Sequence, residues 1–196
     1  MKLCVFQGTF NPIHNAHIQV AEYAYKNLDV DKILFIPAAK PPHKEYNPEM
    51  SVHRLNMVKL AVHDYPEFEV SDIEYKLEGK SYTYNTICEL YKKYDIEGRI
   101  KFLIGTDAFQ YIESWYRADE LKELLDFRVF IREDDFEEKR FEYLREKGYV
   151  FEFMPLEFLD ISSTEIRTRL KQHLPLKDLI DTKVEEYIRK NELYKD

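Results

Sequence analysis

Two histidines, His14 and His17, follow the opening apolar run Leu3 to Phe6 in the string Phe6-Gln7-Gly8-Thr9-Phe10-Asn11-Pro12-Ile13-His14-Asn15-Ala16-His17. Gly8 and Asn11-Pro12 are turn formers, and after them Ile18, Ala21, Tyr25 and Leu28 recur at helical spacing. The histidines therefore stand at a helix N-terminus, where unpaired backbone N–H groups and the positive end of the dipole favour an anion. Two imidazoles pointing the same way make that end a phosphate site. Taken alone, Gly8 and Asn11-Pro12 read equally well as an ordinary turn, and His14 and His17 as surface residues or a zinc pair.

A second string, Ile161-Ser162-Ser163-Thr164-Glu165-Ile166-Arg167, lies far along the chain. Ser162 and Glu165 have the spacing of a capping box, so by itself this is a well-capped helix start. Paired with the first string it reads as a second phosphate contact: Ser163 and Thr164 supply hydroxyls and first-turn N–H groups, with Arg167 one turn further on the same face. Lys40-Pro41-Pro42-His43-Lys44 is either a stiff solvated turn or a proline-held phosphate clamp. In Gly79-Lys80-Ser81-Tyr82-Thr83-Tyr84-Asn85-Thr86, Ser81 or Thr83 caps a helix whose N-terminus suits a carboxylate. Gly105-Thr106-Asp107-Ala108 ends a strand, and Asp107 there suits ribose hydroxyls better than phosphate. Trp115, the only tryptophan, is followed by Tyr116-Arg117 and has the core as its ordinary destination.

The elements that must position these groups alternate. Strand-like runs are Leu3 to Phe6, Ile33 to Ile36, Phe68 to Val70, Ile100 to Ile104, Phe127 to Ile131 and Val150 to Met154. Between them, helical spacing covers His17 to Leu28, Ser51 to Val62, Thr83 to Tyr94, Asp119 to Leu125 and Phe136 to Glu146. That order predicts a parallel sheet covered on both faces, with ligands outside the carboxyl ends of its strands. From Ser162 onward the pattern is helical throughout, ending in a helix marked by Val184, Tyr187 and Ile188.

Composition excludes several classes. The 196 residues carry a net charge of −8, which disfavours nucleic acid and anionic membrane surfaces as partners. Five glycines, at 8, 79, 98, 105 and 148, form no GxGxxG, no GxxxxGK[ST] and no GxSxG. Phosphates must then be held by helix ends and cationic side chains. Cys4 and Cys88 lack metal or disulfide spacing and read as buried thiols in a reducing cytoplasm, and the N-terminal apolar run is too short for a signal peptide or a membrane span. No linker or repeat divides the chain.

The first string resembles the HxGH signature of the nucleotidyltransferase superfamily, and the second its ISSTxIR signature. Over essentially its whole length, the chain resembles the bacterial nicotinate mononucleotide adenylyltransferase family. It departs from the family with Gln7-Gly8-Thr9-Phe10-Asn11 in place of Gly-Gly-Thr-Phe-Asp, and with Ala16 in place of glycine. Ala16 narrows the space beside the phosphates. The resemblance implies an α/β fold, a single Rossmann-like doubly wound parallel sheet with helices on both faces, in one nucleotidyltransferase domain over 1–196. Residues 1–160 would form the core and 161–196 a helical part.

The implied reaction is adenylyl transfer from ATP to nicotinate mononucleotide. His14, His17 and Arg167 would be catalytic, and Gly8, Thr9, Phe10, Gly105, Asp107, Ile161, Ser163 and Thr164 would join them in holding ATP. Lys44, Ser81, Tyr82, Thr83, Thr86, Trp115 and Tyr116 would hold the acceptor, with Trp115 and Tyr116 against the nicotinate ring. Mg²⁺ would arrive with ATP, without a protein metal site. The alternatives keep the fold and change the acceptor to nicotinamide mononucleotide, phosphopantetheine or, with CTP, a phosphorylated alcohol. A non-catalytic nucleotide sensor and a zinc-binding His14–His17 pair are further alternatives, and a homo-oligomer is left open.

Overall fold

The run Leu3 to Phe6 offers no polar position for a solvated face, so it belongs inside a sheet covered on both sides. A computed structural model, which describes residues 1–196 except Lys44, Asp134, Asp135, Phe158 and Asp196, places it there. Six parallel strands, β1 (Leu3–Gly8), β2 (Lys32–Pro37), β3 (Phe68–Val70), β4 (Ile100–Gly105), β5 (Leu125–Phe130) and β6 (Phe151–Met154), run in the order β3-β2-β1-β4-β5-β6. Leu3 pairs with Lys32, Cys4 with Lys101 and Ile100 with Leu125, so the carboxyl ends at Gly8, Gly105 and Phe130 share one edge.

The helices divide between two cores. On one face, α1 (Asn15–Asn27) and α2 (Pro48–Ala61) bury Ala16, Val20, Ala21, Met57 and Val58 against Cys4, Phe6, Ile33 and Phe35. On the other, α4 (Thr83–Lys93), α5 (Thr106–Phe109), α6 (Ala118–Leu124) and α7 (Glu142–Glu146) bury Ile87, Leu90, Phe109, Leu121 and Leu144 against Val5, Phe102 and Phe127. Winding on either side of β1 thus uses opposite faces, and the switch falls between β1 and β4. The short α3 (Ile73–Lys76) precedes α4, and α8 (Ser163–Lys171) and α9 (Thr182–Lys190) return to the α1 core through Ile166, Val184 and Ile188.

Element boundaries differ from expectation where local chemistry decides them. His14 is the N-cap of α1 and His17 already lies inside the helix, which begins two residues before the expected His17. Pro48 at the first turn and Asn47, whose Oδ1 accepts the Met50 amide at 2.9 Å, start α2 earlier than Ser51. The stretch Phe136 to Glu146 is not one helix but a 3₁₀ turn over Glu138–Phe141 followed by α7. Nor is the C-terminal part helical throughout. Between α8 and α9, Pro175 removes an N–H while His173 and Asp178 adopt left-handed φ of 55° and 65°. α3 and α5 are single turns, too short to carry a readable period.

At α8, Ser162 Oγ accepts the Glu165 amide at 3.1 Å, one half of the expected capping box, while Glu165 Oε1 pairs with Arg169 instead. Ser162→Ala is expected to lower stability by ~1 kcal/mol, the usual worth of such a cap, read from the denaturant midpoint with an unchanged slope.

Candidate active site

A cavity of about 720 Å³ opens at the switch between β1 and β4. The turn after β1 supplies its phosphate-seeking end. Phe10 takes a left-handed φ of 48°, which folds its ring back over Gly8, where an added Cβ would meet the ring at 3.1 Å. That is why a glycine stands there. The Phe10 ring is buried and meets His17 edge-on, centroids 5.0 Å apart, so Phe10 serves as a support for the imidazole.

His14 and His17 stack at 3.6 Å between centroids, and the His14 amide donates to His17 Nδ1 at 3.1 Å. With Nδ1 accepting, the neutral His17 ring carries its proton on Nε2, a donor available to the cavity. Burial, together with the positive Arg132 nearby, pushes His14 down to about 3, and burial, His14 and Arg132 push His17 well below its ordinary value. Both rings are therefore neutral near pH 7 before any anion arrives.

Four side chains hold this turn from behind. Arg54, buried, donates to Thr9 O at 2.7 Å and to Ala39 O at 3.4 Å, tying the loop after β1 to the loop after β2. Arg167 donates to Asn11 O at 2.7 Å and to Thr164 Oγ1 at 3.1 Å, and Ser163 Oγ donates to Pro12 O at 2.9 Å. Tyr194 donates to Asn11 Oδ1 at 2.5 Å.

The expected residues therefore separate into two groups. Gly8, Thr9, Phe10, His14, His17, Gly105, Asp107, Ser81, Tyr82, Thr83, Trp115 and Tyr116 line the one cavity. Ile161, Ser163, Thr164, Arg167 and Thr86 do not. Ile161 is in the core. Ser163 and Arg167 grip the Asn11-Pro12 turn from outside the cavity, because carbonyl oxygens freed by that turn lie within their reach, and Thr164 supports Arg167 by accepting from it. Thr86 is buried and turns its hydroxyl inward to Glu74 at 2.7 Å. Lys44 lies outside the described residues. Trp115 is neither wholly core nor free, since it meets Phe102 edge-on at 6.1 Å and also faces the cavity; Tyr116, 48 % exposed, stacks on Tyr82 at 4.6 Å.

Sequence reasoning missed Arg132, which lines the cavity and pairs with Asp107 at 3.0 Å. Its place just past β5, on the ligand edge of a parallel sheet, was the available signal. Gly105 leaves no room beneath this pair, since a Cβ would come within 2.5 Å of Asp107 Oδ1 and 2.9 Å of Arg132 Cδ. Gln7 also lines the cavity, as does Ala16, fully buried, whose methyl takes space on the wall of α1.

Residues 5–169 match the family described as cytidylyltransferase-like. A Fusobacterium nucleatum protein named "Probable nicotinate-nucleotide adenylyltransferase" is 39% identical over 191 residues, covering 97% of this chain and 98% of its own. A Clostridium tetani protein of the same name is 41% identical over 202 residues, covering 99% of each. Among solved structures, a Plasmodium falciparum nicotinic acid mononucleotide adenylyltransferase, complexed with NaAD, superposes with a TM-score of 0.77. It is 23% identical and covers 98% of this chain and 97% of its own, a likeness of fold.

The depressed histidines carry a pH signature. Because their folded pKa values lie below 6.5, the unfolded chain binds more protons as pH falls. The stability they contribute is full above about pH 6.5 and declines as pH falls, for His14 until about pH 3, by up to ~1.4 kcal/mol per pH unit for each ring. His14→Gln is expected to flatten this acid limb relative to wild type, as measured by chemical denaturation from pH 7 to pH 4. Parallel curves would place the His14 ring in solvent.

Proposed function

The chain belongs to the nicotinate-nucleotide adenylyltransferase family, and from that premise we propose that it transfers the adenylyl group of ATP to nicotinate mononucleotide, forming nicotinate adenine dinucleotide and pyrophosphate in NAD biosynthesis. The observation that carries this reading is the stacked pair His14–His17 at the N-terminus of α1, facing a cavity that also receives the N-terminus of α4 from the opposite face of the sheet. Two helix ends on opposite faces suit two anionic substrates that must meet between them.

The chemistry asks little covalent help of the protein. The acceptor phosphate is already an anion, so no general base is assigned. One of its oxygens bonds to the α-phosphorus as the bond from that phosphorus to the bridging oxygen breaks, and the electron pair leaves on pyrophosphate. The protein's work is to align two mutually repelling phosphates and to stabilise charge on the nonbridging and departing oxygens. His17, through its Nε2 proton, is the first donor for that charge, with His14 beside it. Arg132 supplies the fixed positive charge and Asp107 the acceptor suited to a ribose hydroxyl. Arg167 and Ser163 act on the ATP end through the Asn11-Pro12 turn they hold, with Thr164 steadying Arg167.

Ser81, Tyr82, Thr83, Trp115 and Tyr116 form the acceptor end. There the first amides of α4, which have no acceptor within the helix, suit the nicotinate carboxylate better than an amide. Mg²⁺ would be carried by ATP, where it shields the phosphate charge. Among the described residues no three His, Cys, Asp or Glu side chains gather as a metal site, and Asp107, on the cavity wall, is already paired with Arg132. No helix among the described residues is long and apolar enough to cross a membrane.

Two expected outcomes test the reading. Turnover of nicotinate and nicotinamide mononucleotides with ATP and Mg²⁺, measured side by side, should favour nicotinate by at least ~10² in kcat/KM, since a misfit leaves buried donors unpaired. Equal use of both would sink the acceptor assignment while leaving adenylyl transfer intact. His17→Ala should lower kcat by ~10² to 10³, the usual worth of one preorganised donor on a transferring group, with the melting transition retained. A kcat near wild type would remove His17 from the chemistry.

A further inference from the structure

Glu74 stands on α3 and is not on the cavity wall, yet three pieces of that wall end on its carboxylate. Oε1 accepts from Thr86 Oγ1 at 2.7 Å and from Gln7 Nε2, and Oε2 accepts the Ala39 amide at 3.1 Å. The Ser81 side chain is a fourth hydrogen-bond partner. These partners come from the end of β1, the loop after β2 and the start of α4. The carboxylate is buried, and no cation pairs with it among the described residues. Its direct partners are hydrogen-bond donors, and the buried Arg54 acts on it electrostatically from beyond contact distance.

Such an arrangement has a direction. Thr86, Ala39 and Gln7 all donate to it, so Gln7 turns its NH₂ toward Glu74 and its carbonyl away. That carbonyl then accepts from Thr83 Oγ1 at 2.8 Å. Thr83 thereby commits its hydroxyl proton to Gln7, and α4 presents its backbone N–H groups to the cavity. Ser81 repeats the pattern, with its Oγ accepting the Lys40 amide at 2.8 Å while its own amide donates to Lys40 O at 2.9 Å. The base of the Lys40-Pro41-Pro42 wall is thus pinned to the same carboxylate. The link from β1 to Glu74 is made by the Gln7 side chain.

We propose that Glu74 is a positioning residue for the acceptor mononucleotide: its carboxylate orients Gln7, Ser81 and Thr83, and through them sets which groups of the acceptor wall donate and which accept. Burial raises the Glu74 pKa above its ordinary value, and the hydrogen bonds from Ser81, Thr86, Ala39 and Gln7 oppose that rise. The proposal rests on the acceptor assignment above. Wild-type turnover of nicotinate mononucleotide tests that assignment separately, so failure of either is distinguishable.

The test is Glu74→Gln, which keeps the shape but sets two new N–H donors among groups that already donate. Expected is a rise of ~10-fold or more in KM for the mononucleotide with KM for ATP within ~2-fold, because donors left facing donors distort only the wall they belong to. Thr86→Val, which removes one donor and leaves the carboxylate charged, should show the same selectivity at ~3-fold and serves if Glu74→Gln does not fold. An unchanged mononucleotide KM in the folded variants, equal increases for both substrates, or a fall in kcat with both KM values unchanged would each overturn the proposal.

Discussion

Two imidazoles whose centroids lie 3.6 Å apart cannot both carry charge in a buried place, and their surroundings keep them neutral. Burial against Phe6 and Phe10 disfavours protonation, and the positive charge of Arg132 disfavours it further. Neutrality in turn makes the tautomer matter, and the amide of His14 settles it for His17 by occupying Nδ1. The left-handed Phe10, the close approach over Gly8 and the small residues of α1 all follow from bringing these rings against the sheet edge.

The sheet supplies the other half of the arrangement. Because winding reverses between β1 and β4, helices from both faces present their N-termini to the same gap. One face delivers the histidines and the other delivers Ser81 to Thr83. Adenylyl transfer needs two triply or doubly charged groups brought to contact distance, and a pair of opposed helix ends reduces their repulsion without placing a nucleophile on the protein. The overall negative charge of the chain is no obstacle, since the few cations that matter converge from distant parts of the sequence.

Much of this was legible in the residues. Every strand was visible as an apolar run, and the histidine string, Ser81 to Thr83, Gly105, Asp107, Trp115 and Tyr116 all reach the cavity as expected. What stayed hidden shares one cause. Glu74 and Arg54 look in sequence like solvated surface charges, because nothing local distinguishes a buried charge from an exposed one, and Arg132, itself exposed, carries no local mark that it reaches the cavity. Thr86 and Arg167 sit on the expected elements, but their partners, Glu74 and the Asn11 carbonyl, lie on other segments. The break between α8 and α9 was missed because left-handed residues such as His173 and Asp178 carry no compositional mark.

The turn that carries the histidines is fastened by residues far downstream of it. Asn11 is held by Arg167 and Tyr194, Pro12 by Ser163 and the Asn15 amide by the Leu179 carbonyl, across separations of 151 to 183 residues for the side-chain bonds. Such closures are entropically expensive and come late, after the sheet that bridges them has formed. On the ribosome, the histidine motif is made before the residues that fasten it, so a nascent chain can own a complete sheet while this turn is still loose. Competence to bind nucleotide becomes a report on the docking of the C-terminal helices rather than on the N-terminal segment that contains the histidines.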